Sequence, residues 1–177
     1  MTRLNRIFNS LIFLINATTG GVTAQVAPPV SATGHVTAEI VPVFSVSEMA
    51  QMNFGKYAPG PQGGEIILTP QSTVSVLGSI FEGAGTHNAA SFYVTGDVDA
   101  AYTITLPAAP VVLTHISNAK TMKIDNWVSI PAPSVGAGKL QDGFQTVYIG
   151  ATLKVGTLYD NPVGLYTGTF TITFDFN

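Results

Sequence analysis

The chain has 177 residues and no cysteine, and only 10% of its residues are charged while 46% are hydrophobic. The absence of cysteine excludes disulfides and thiol-ligated metals. A formal net charge of −3 does not attract nucleic acid or anionic lipid, so neither is expected as a partner.

The first 24 residues have the pattern of a signal peptide. Arg3 and Arg6 precede a short apolar stretch at 7–15, and the small residues at 22–24 suit signal peptidase. The apolar stretch is too short to span a bilayer. We therefore expect export through the inner membrane and no membrane insertion of the mature chain. Cleavage would leave residues 25–177, which carry 5 basic and 10 acidic side chains and are enough for one domain.

An alternating segment at 30–40 follows the predicted cleavage site. Ser31, Thr33, His35, Thr37 and Glu39 lie on one face, so the segment reads as an amphipathic strand. We assign 25–40 as an N-terminal extension with a candidate donor strand, and 41–177 as the folded domain. The side chains expected to enter a partner are on the apolar face: Val30, Ala32, Gly34, Val36, Ala38 and Ile40.

Short strands separated by turn residues fill the rest of the chain. A helical turn is the alternative only at 47–52, and Trp127 is interpreted as a core residue rather than a glycan platform. About nine strands at this spacing predict an all-β fold, an antiparallel β-sandwich. The internal strands are expected at 65–68, 73–80, 91–95, 102–106, 111–116, 122–128 and 146–155. One common core is expected from Phe92, Ile104, Leu106, Ile149, Leu153, Phe170, Ile172 and Phe174.

The final segment, 166–177, alternates throughout and is predicted to be one strand. Its other face carries threonines and Asp175, and we expect its outer edge to be uncovered. We expect the hydroxyl of Tyr166 to bond to nearby backbone, as a corner tyrosine does. The face expected to border a partner's strand carries Tyr166, Phe170, Ile172, Phe174 and Phe176.

The residues that carry chemistry in other proteins do not form a recognisable site here. His35, His87 and His115 lack metal-ligand spacing, and Asp97 and Asp99 lack the further ligands of a calcium loop. No Gly-x-Ser-x-Gly elbow is present, and no pair of carboxylates stands out. We predict no catalytic, cofactor or metal residues, and a protein that is not an enzyme.

Five blocks of the chain carry a family resemblance: Met52-Asn53-Phe54-Gly55 and residues 91–96, 102–107, 149–153 and 164–177. They resemble a bacterial secreted family, domain-of-unknown-function family 4402. The family is more distantly similar to the spore-coat-protein-U-like subunits of archaic chaperone–usher pili, although this chain lacks the cysteine pair that many of those carry.

The resemblance implies an immunoglobulin-like sandwich that is incomplete and is completed by a donated N-terminal strand. It implies a surface filament of identical copies, assembled with a periplasmic chaperone and an outer-membrane usher, that crosses the periplasm to the cell surface. The alternative is that 30–40 pairs within its own domain, which would give a self-contained surface domain with adhesin-type glycan or protein binding.

Export yields the first testable prediction. Protein collected from outside the cell should begin at Gln25, because the small residues at 22–24 place the cleavage after Ala24. Mass spectrometry of the intact protein measures this directly. Native extracellular protein that retains Met1 or Arg3 would contradict the assignment.

Overall fold

The fold is all-β and antiparallel, as predicted. A computed structural model describes residues 26–40, 43–134 and 136–176, and no helix occurs in those ranges. The predicted signal peptide, 1–24, lies outside them. The strands are β1 (Ser45–Ala50), β2 (Tyr57–Leu68), β3 (Val74–Glu82), β4 (Ala90–Thr95), β5 (Ala101–Thr105), β6 (Val111–His115), β7 (Thr121–Ile130), β8 (Gly138–Lys139), β9 (Phe144–Val155), β10 (Tyr166–Thr167) and β11 (Thr173–Phe176).

The strands form two sheets of unequal size. The larger has eight strands, in the order β1-β4-β9-β7-β6-β10, with β2 paired to both β9 and β3. The smaller has three, in the order β11-β5-β8. The long β9 pairs with β7 along one edge and shares its other edge between β4 and β2. It is therefore the central strand of the larger sheet.

The alternation read from the sequence is correct for the apolar side chains of the central strand, although Thr152, predicted to face outward, is also buried. Val147, Ile149 and Ala151 are at most 1% exposed, while Tyr148 between them is 44% exposed. Because side chains alternate in direction along a strand, this register places one apolar face of the larger sheet inward.

The core consists of two clusters, which corrects the expectation of one. Leu153 belongs to a cluster with Ile66 and Ile124, whereas Ile104 and Ile149 belong to a second cluster. The remaining predicted core residues pack against the second cluster: Phe92, Leu106, Phe170, Ile172 and Phe174. Trp127 is partly buried and contacts both clusters, in agreement with its interpretation as a core residue.

The final strand is interrupted, which corrects the prediction of one continuous strand. β10 pairs with β6 in the larger sheet, whereas β11 pairs with β5 in the smaller sheet. The chain passes from one sheet to the other between them, and 168–172 belong to no strand. The predicted alternation is nevertheless confirmed, because Phe170, Phe174 and the other large apolar residues are half-buried while the threonines are exposed.

Three other local expectations differ from the structure. Residues 45–50 form β1 rather than a helical turn, because they pair with β4. β2 begins at Tyr57, earlier than expected, because a Pro- and Gly-rich stretch pairs with β3 through an irregular register. The described extension, 26–40, contains no strand, and the chain divides into two units after Glu39.

One side-chain hydrogen bond joins the two sheets across the core. The hydroxyl of Tyr102 on β5 donates to Oε1 of Gln145 on β9, at 2.6 Å. The backbone N–H of Lys139 on β8 donates to the same oxygen, at 3.0 Å. Tyr102 is fully buried, and burial raises its pKa to about 12. Gln145 therefore links its own sheet to two strands of the smaller sheet.

Replacing Tyr102 by Phe should lower the free energy of unfolding by about 1 kcal/mol, because one buried hydrogen bond is lost while the ring is kept. It should also reduce the loss of stability at high pH. A tyrosine titrates near pH 10 in the unfolded chain but near 12 here, so its contribution is full below pH 10 and falls as the pH rises to 12.

Denaturant unfolding measured from pH 8 to 12 tests this prediction, with Tyr159→Phe as control because Tyr159 is 84% exposed. Part of the pH dependence of the unfolding free energy should remain in Tyr102→Phe, since burial and the charge of Glu82 also raise the pKa of Tyr57. Equal curves for wild type and Tyr102→Phe would contradict the prediction.

Candidate functional site

The sandwich has an open groove of about 1440 Å³. Two chain segments border it: residues 50–59, from the end of β1 to the start of β2, and residues 161–170, which include β10. The charged side chains among its lining residues are Glu48 and Lys56. A groove with so little charge is suited to an uncharged, largely apolar occupant.

The floor of the groove is the inner face of the larger sheet. Its side chains come from four strands that are neighbours in the ladder register, so they form one continuous apolar surface. These residues are Ile66 on β2, Leu113 on β6, Met122 and Ile124 on β7, and Leu153 and Val155 on β9.

The groove exists because the two sheets differ in size. The three strands of the smaller sheet pack on the cluster that contains Tyr102, Ile104 and Ile149. Over the other cluster, which contains Ile66 and Leu153, the packing partners outside the larger sheet include Met52 and Phe54, from a segment that forms no sheet. The groove lies against this cluster, whose members Ile66, Ile124 and Leu153 are only 1–7% exposed.

A buried histidine fixes one border of the groove. His115 is 7% exposed, and its Nε2 lies 3.1 Å from the carbonyl oxygen of Val163. Its Nδ1 accepts a hydrogen bond from the backbone N–H of Ser117, at 3.0 Å, so Nε2 carries the proton donated to Val163. The imidazole ring packs edge-on against the ring of Tyr166, with 4.9 Å between the ring centroids. A side chain at position 164 would overlap the imidazole, so Gly164 leaves room for it.

Tyr166 also fixes this border. Its hydroxyl donates to the carbonyl oxygen of Pro162, at 2.9 Å. This confirms the predicted bond from a corner tyrosine to nearby backbone. The carbonyls of Pro162, Val163 and Leu165 all accept hydrogen bonds, which favours a border that is in place before any occupant arrives.

The opposite border contains a buried polar atom without a partner. The hydroxyl oxygen of Tyr57 is inaccessible to solvent and has no hydrogen-bond partner among the described residues. Its ring packs against the cluster of Ile66 and Leu153, and burial, followed by the charge of Glu82, raises its pKa. A buried hydroxyl without a partner is unfavourable, and it marks a place where an acceptor is missing.

The predicted donor residues lie in the described extension. Every residue from 26 to 40 is exposed, and Val30, Val36 and Ile40 are each 97% exposed. Three large apolar side chains that alternate with polar ones are thus open to solvent.

The predicted acceptor residues divide between two places. Tyr166 and Phe170 line the groove. Ile172, Phe174 and Phe176 instead pack on the second core cluster, because that end of the chain has joined the smaller sheet. The sequence reasoning missed the second border, 50–59, apart from the Met52-Asn53-Phe54-Gly55 block; no alternation marks it, since most of it forms no strand.

The other residues considered for chemistry lie apart. His35 is exposed on the extension, and His115 is buried beside the groove. Asp99 forms an ion pair with Lys139 at 2.8 Å. Within the described ranges, no three His, Asp or Glu residues come close enough to hold a metal ion, and no helix is long and apolar enough to cross a membrane.

Residues 44–176 match the family described as "Domain of unknown function (DUF4402)". The match covers well over half of the chain, and the chain belongs to that family. No curated protein and no solved structure matches it.

Replacing His115 by Phe should loosen the border at 162–166. The substitution keeps a ring of similar size but removes two hydrogen bonds, which should cost about 2 kcal/mol of unfolding free energy at roughly 1 kcal/mol each. Amide hydrogen exchange should become faster at Ser117, whose N–H loses its acceptor, and at Ile116, whose N–H donates to the Leu165 carbonyl of the loosened border. His35→Phe is the control, because His35 is exposed on the extension. Unchanged exchange in His115→Phe would show that other contacts hold the border.

Proposed function

We propose that this member of the DUF4402 family is a structural subunit of a surface filament, in which residues 30–40 of one copy insert into the groove of the next. The observation that carries the proposal is a single chain with both an open apolar groove and an exposed alternating segment. Each lacks what the other supplies: the groove lacks a covering strand, and the segment lacks a buried environment for its apolar face.

The two surfaces have matching chemistry and length. The apolar face of the segment, from Val30 to Ile40, carries no charge, and the groove has only Glu48 and Lys56. Burying Val30, Val36 and Ile40 would contribute about 5–9 kcal/mol before costs. Eleven extended residues reach about 36 Å, so the segment is long enough to follow a ten-residue border such as 161–170 in any conformation.

Backbone groups along the groove suit an added strand. Residues 168–172 lie between the two ladders of the final segment and belong to neither. An inserted strand could pair with such a segment, as in β-strand addition, at about 1 kcal/mol net for each hydrogen bond. Gly34 and its neighbours Ala32 and Ala38 would let that strand approach the floor closely.

The attachment point of the extension favours a chain of subunits. The sandwich begins at Phe44, whose ring stacks on Phe176 at 3.8 Å, at the far end of the final segment. The groove borders the start of that segment, at 161–170. A donor segment and an acceptor groove on different surfaces of one chain give a head-to-tail contact, which repeats into a filament when it does not close into a ring.

The sequence resemblance supports the same proposal. Spore-coat-protein-U-like subunits, which this family resembles distantly, are bacterial and assemble through a periplasmic chaperone and an outer-membrane usher. By this analogy the protein is exported, passes through the periplasm and ends at the cell surface, and its role is structural rather than enzymatic.

A self-contained surface domain that binds glycans or proteins is the second candidate, and an exposed aromatic row favours it. The rings of Tyr93 and Phe144 stack with 5.8 Å between their centroids, and Tyr148 lies on the same outer face of the larger sheet. Phe144 and Tyr148 are 47% and 44% exposed. Aromatic faces beside hydroxyl groups such as that of Thr146 are suitable for stacking on a sugar ring.

Val36→Lys should abolish assembly. Val36 lies at the middle of the apolar face, and an unpaired charge carried into the groove costs several kcal/mol. The matched control is Thr37→Lys, which adds the same charge to the opposite face and should still assemble. Electron microscopy and light scattering of the purified variants measure the outcome.

A synthetic peptide of residues 30–40 tests the groove separately. It should raise the melting temperature of the Val36→Lys variant, because its domain is intact and its groove is open. A wild-type protein that stays monomeric at high concentration, and that gains no stability from the peptide, would overturn the proposed function. Binding of such a monomer to glycans, lost in Phe144→Ala, would favour the second candidate.

A further inference from the structure

An exposed apolar patch lies at one end of the domain, where the groove opens. Its apolar side chains come from the turn after β6 and the loop after β9, and they are 53–89% exposed. The two segments are joined by a hydrogen bond from the N–H of Ile116 to the carbonyl oxygen of Leu165, at 3.0 Å. The Nζ of Lys120 lies 4.8 Å from the ring centroid of Tyr159. We call this patch the mouth face, and it consists of Ile116, Lys120, Leu158, Tyr159, Val163 and Leu165.

The domain begins at Phe44, whose ring is fixed in place. This ring stacks on Phe176 with 3.8 Å between the centroids, and a side-chain carbon at Gly96 would overlap it. The N–H of Gly96 donates to the carbonyl oxygen of Gly143, at 3.0 Å, so the turns at 96–99 and 141–143 lie side by side here. We call the exposed side chains around this point the exit face, and they are Val43, Asp97, Val98 and Asp142.

The exit face and the mouth face lie at opposite ends of the long strand β9. Ser45, the first residue of β1, pairs with Thr95, which in turn pairs with Phe144 at the start of β9. The mouth face comes from the loop after β9 and the turn before β7, where Lys123 pairs with Lys154. Twelve strand residues span about 40 Å, so one domain cannot bring its own two faces together.

The link between the donor segment and its own domain is short. Three residues, Val41, Pro42 and Val43, separate Ile40 from the fixed Phe44. Four Cα–Cα steps reach at most about 14 Å, and proline restricts both itself and the residue before it. A donor segment seated in a neighbouring copy therefore holds its own domain against that copy, because 14 Å leaves room for little more than the side chains of two surfaces.

The end of the groove at which the donor segment leaves is decided by what lies at each end. At the inner end, Phe170 packs on Trp127 and Phe92, with centroid distances of 4.8 and 6.3 Å, and the chain then enters the smaller sheet. At the other end, Leu158 and Val163 line the groove and are 53% and 89% exposed. A second domain has space at the mouth face and none beyond Phe170.

We infer that the mouth face of each copy binds the exit face of the copy whose extension fills its groove. This inference rests on the proposed function and adds a domain-to-domain contact to the donated strand. Both faces carry exposed apolar side chains, and contiguous apolar patches of this kind mark interaction surfaces. The contact would also orient successive subunits, since the donated segment alone is joined to its domain through a three-residue link.

The charges of the two faces are complementary. The mouth face presents the ammonium group of Lys120, and the exit face presents the carboxylates of Asp97 and Asp142. The nearby charges of opposite sign have partners within their own domain: Lys139 pairs with Asp99 at 2.8 Å. Asp160 likewise accepts a hydrogen bond from the hydroxyl of Thr157, at 2.8 Å. Complementary charge favours the head-to-tail contact over contacts between two like faces.

Charge reversal tests the contact without changing a groove residue, because Lys120 does not line the groove. Lys120→Glu should raise the critical concentration for filament formation by about fivefold, the value of one surface ion pair. Asp97→Lys should have the same effect. The double variant should assemble like wild type, since the exchanged charges attract again; a merely structural effect of Lys120 on its own loop would not be repaired from the other end of the domain. Lys123→Glu is the matched control, because Lys123 is exposed on the outer face of β7.

Cross-linking tests which surfaces meet, and the cysteine-free chain permits it. Val98→Cys and Ile116→Cys are introduced together, because the two side chains are 65% and 64% exposed and belong to different faces. Filaments of this variant treated with a short bismaleimide should give a ladder of covalent oligomers on a denaturing gel. Val128→Cys in place of Ile116→Cys is the control: it is 45% exposed on the outer face of β7 and should give no ladder.

A synthetic peptide of residues 30–40 separates the inference from the function on which it rests. The peptide has no exit face, so its affinity for the Val36→Lys chain should be the same with and without Lys120→Glu. Weakened assembly at equal peptide affinity, restored in the double variant, supports the contact. Filaments that form equally well in every charge variant and give no ladder overturn the contact and leave strand donation intact. A chain that neither binds the peptide nor forms filaments overturns the proposed function itself.

Discussion

The structure depends on the mismatch between a large sheet and a small one. Eight strands present a continuous apolar face, but the opposing sheet has three strands, two of which have only two and four residues. Burial of apolar area is the main force that stabilises a sandwich, and an inner face is stable only where something covers it. The smaller sheet covers the cluster around Tyr102, and the groove lies against the other cluster, which contains Ile66 and Leu153.

The polar contacts of the molecule follow from the same mismatch. Where the sheets meet, Gln145 joins them through Tyr102 and the backbone of Lys139. Beyond the smaller sheet no opposing strand is present in the described ranges, so single side chains hold the borders of the groove, as His115 does at Val163. Tyr57 differs from both, because its environment excludes water without providing an acceptor. One border of the groove is thus held by hydrogen bonds, whereas the other contains a buried hydroxyl without an acceptor.

The alternating segments illustrate why a sequence pattern predicts the face on which a side chain lies better than the strand with which a segment pairs. Val147, Ile149 and Phe174 were placed on the correct faces from period alone, because the direction of a side chain along a strand is a local property. The strand with which a segment pairs is not determined locally. The final segment was expected to be one strand, yet its two ends join different sheets. Leu153 and Ile149, only four residues apart on β9, likewise belong to different clusters, because what covers each end of that strand comes from distant parts of the chain.

The sequence by itself determined the all-β class, the inward faces of most strands, the core position of Trp127 and the hydroxyl bond of Tyr166. It also marked 30–40 as an amphipathic segment, and Tyr166 and Phe170 as members of a border. Only the tertiary structure decided that a groove lies between 50–59 and 161–170, that His115 fixes one side, and that the hydroxyl of Tyr57 lacks an acceptor. The physical reason is that alternation reports which way a side chain points, whereas a groove is the space that the strands leave uncovered. That space depends on how long each strand is and on which sheet it joins, and neither is written in any single stretch of residues.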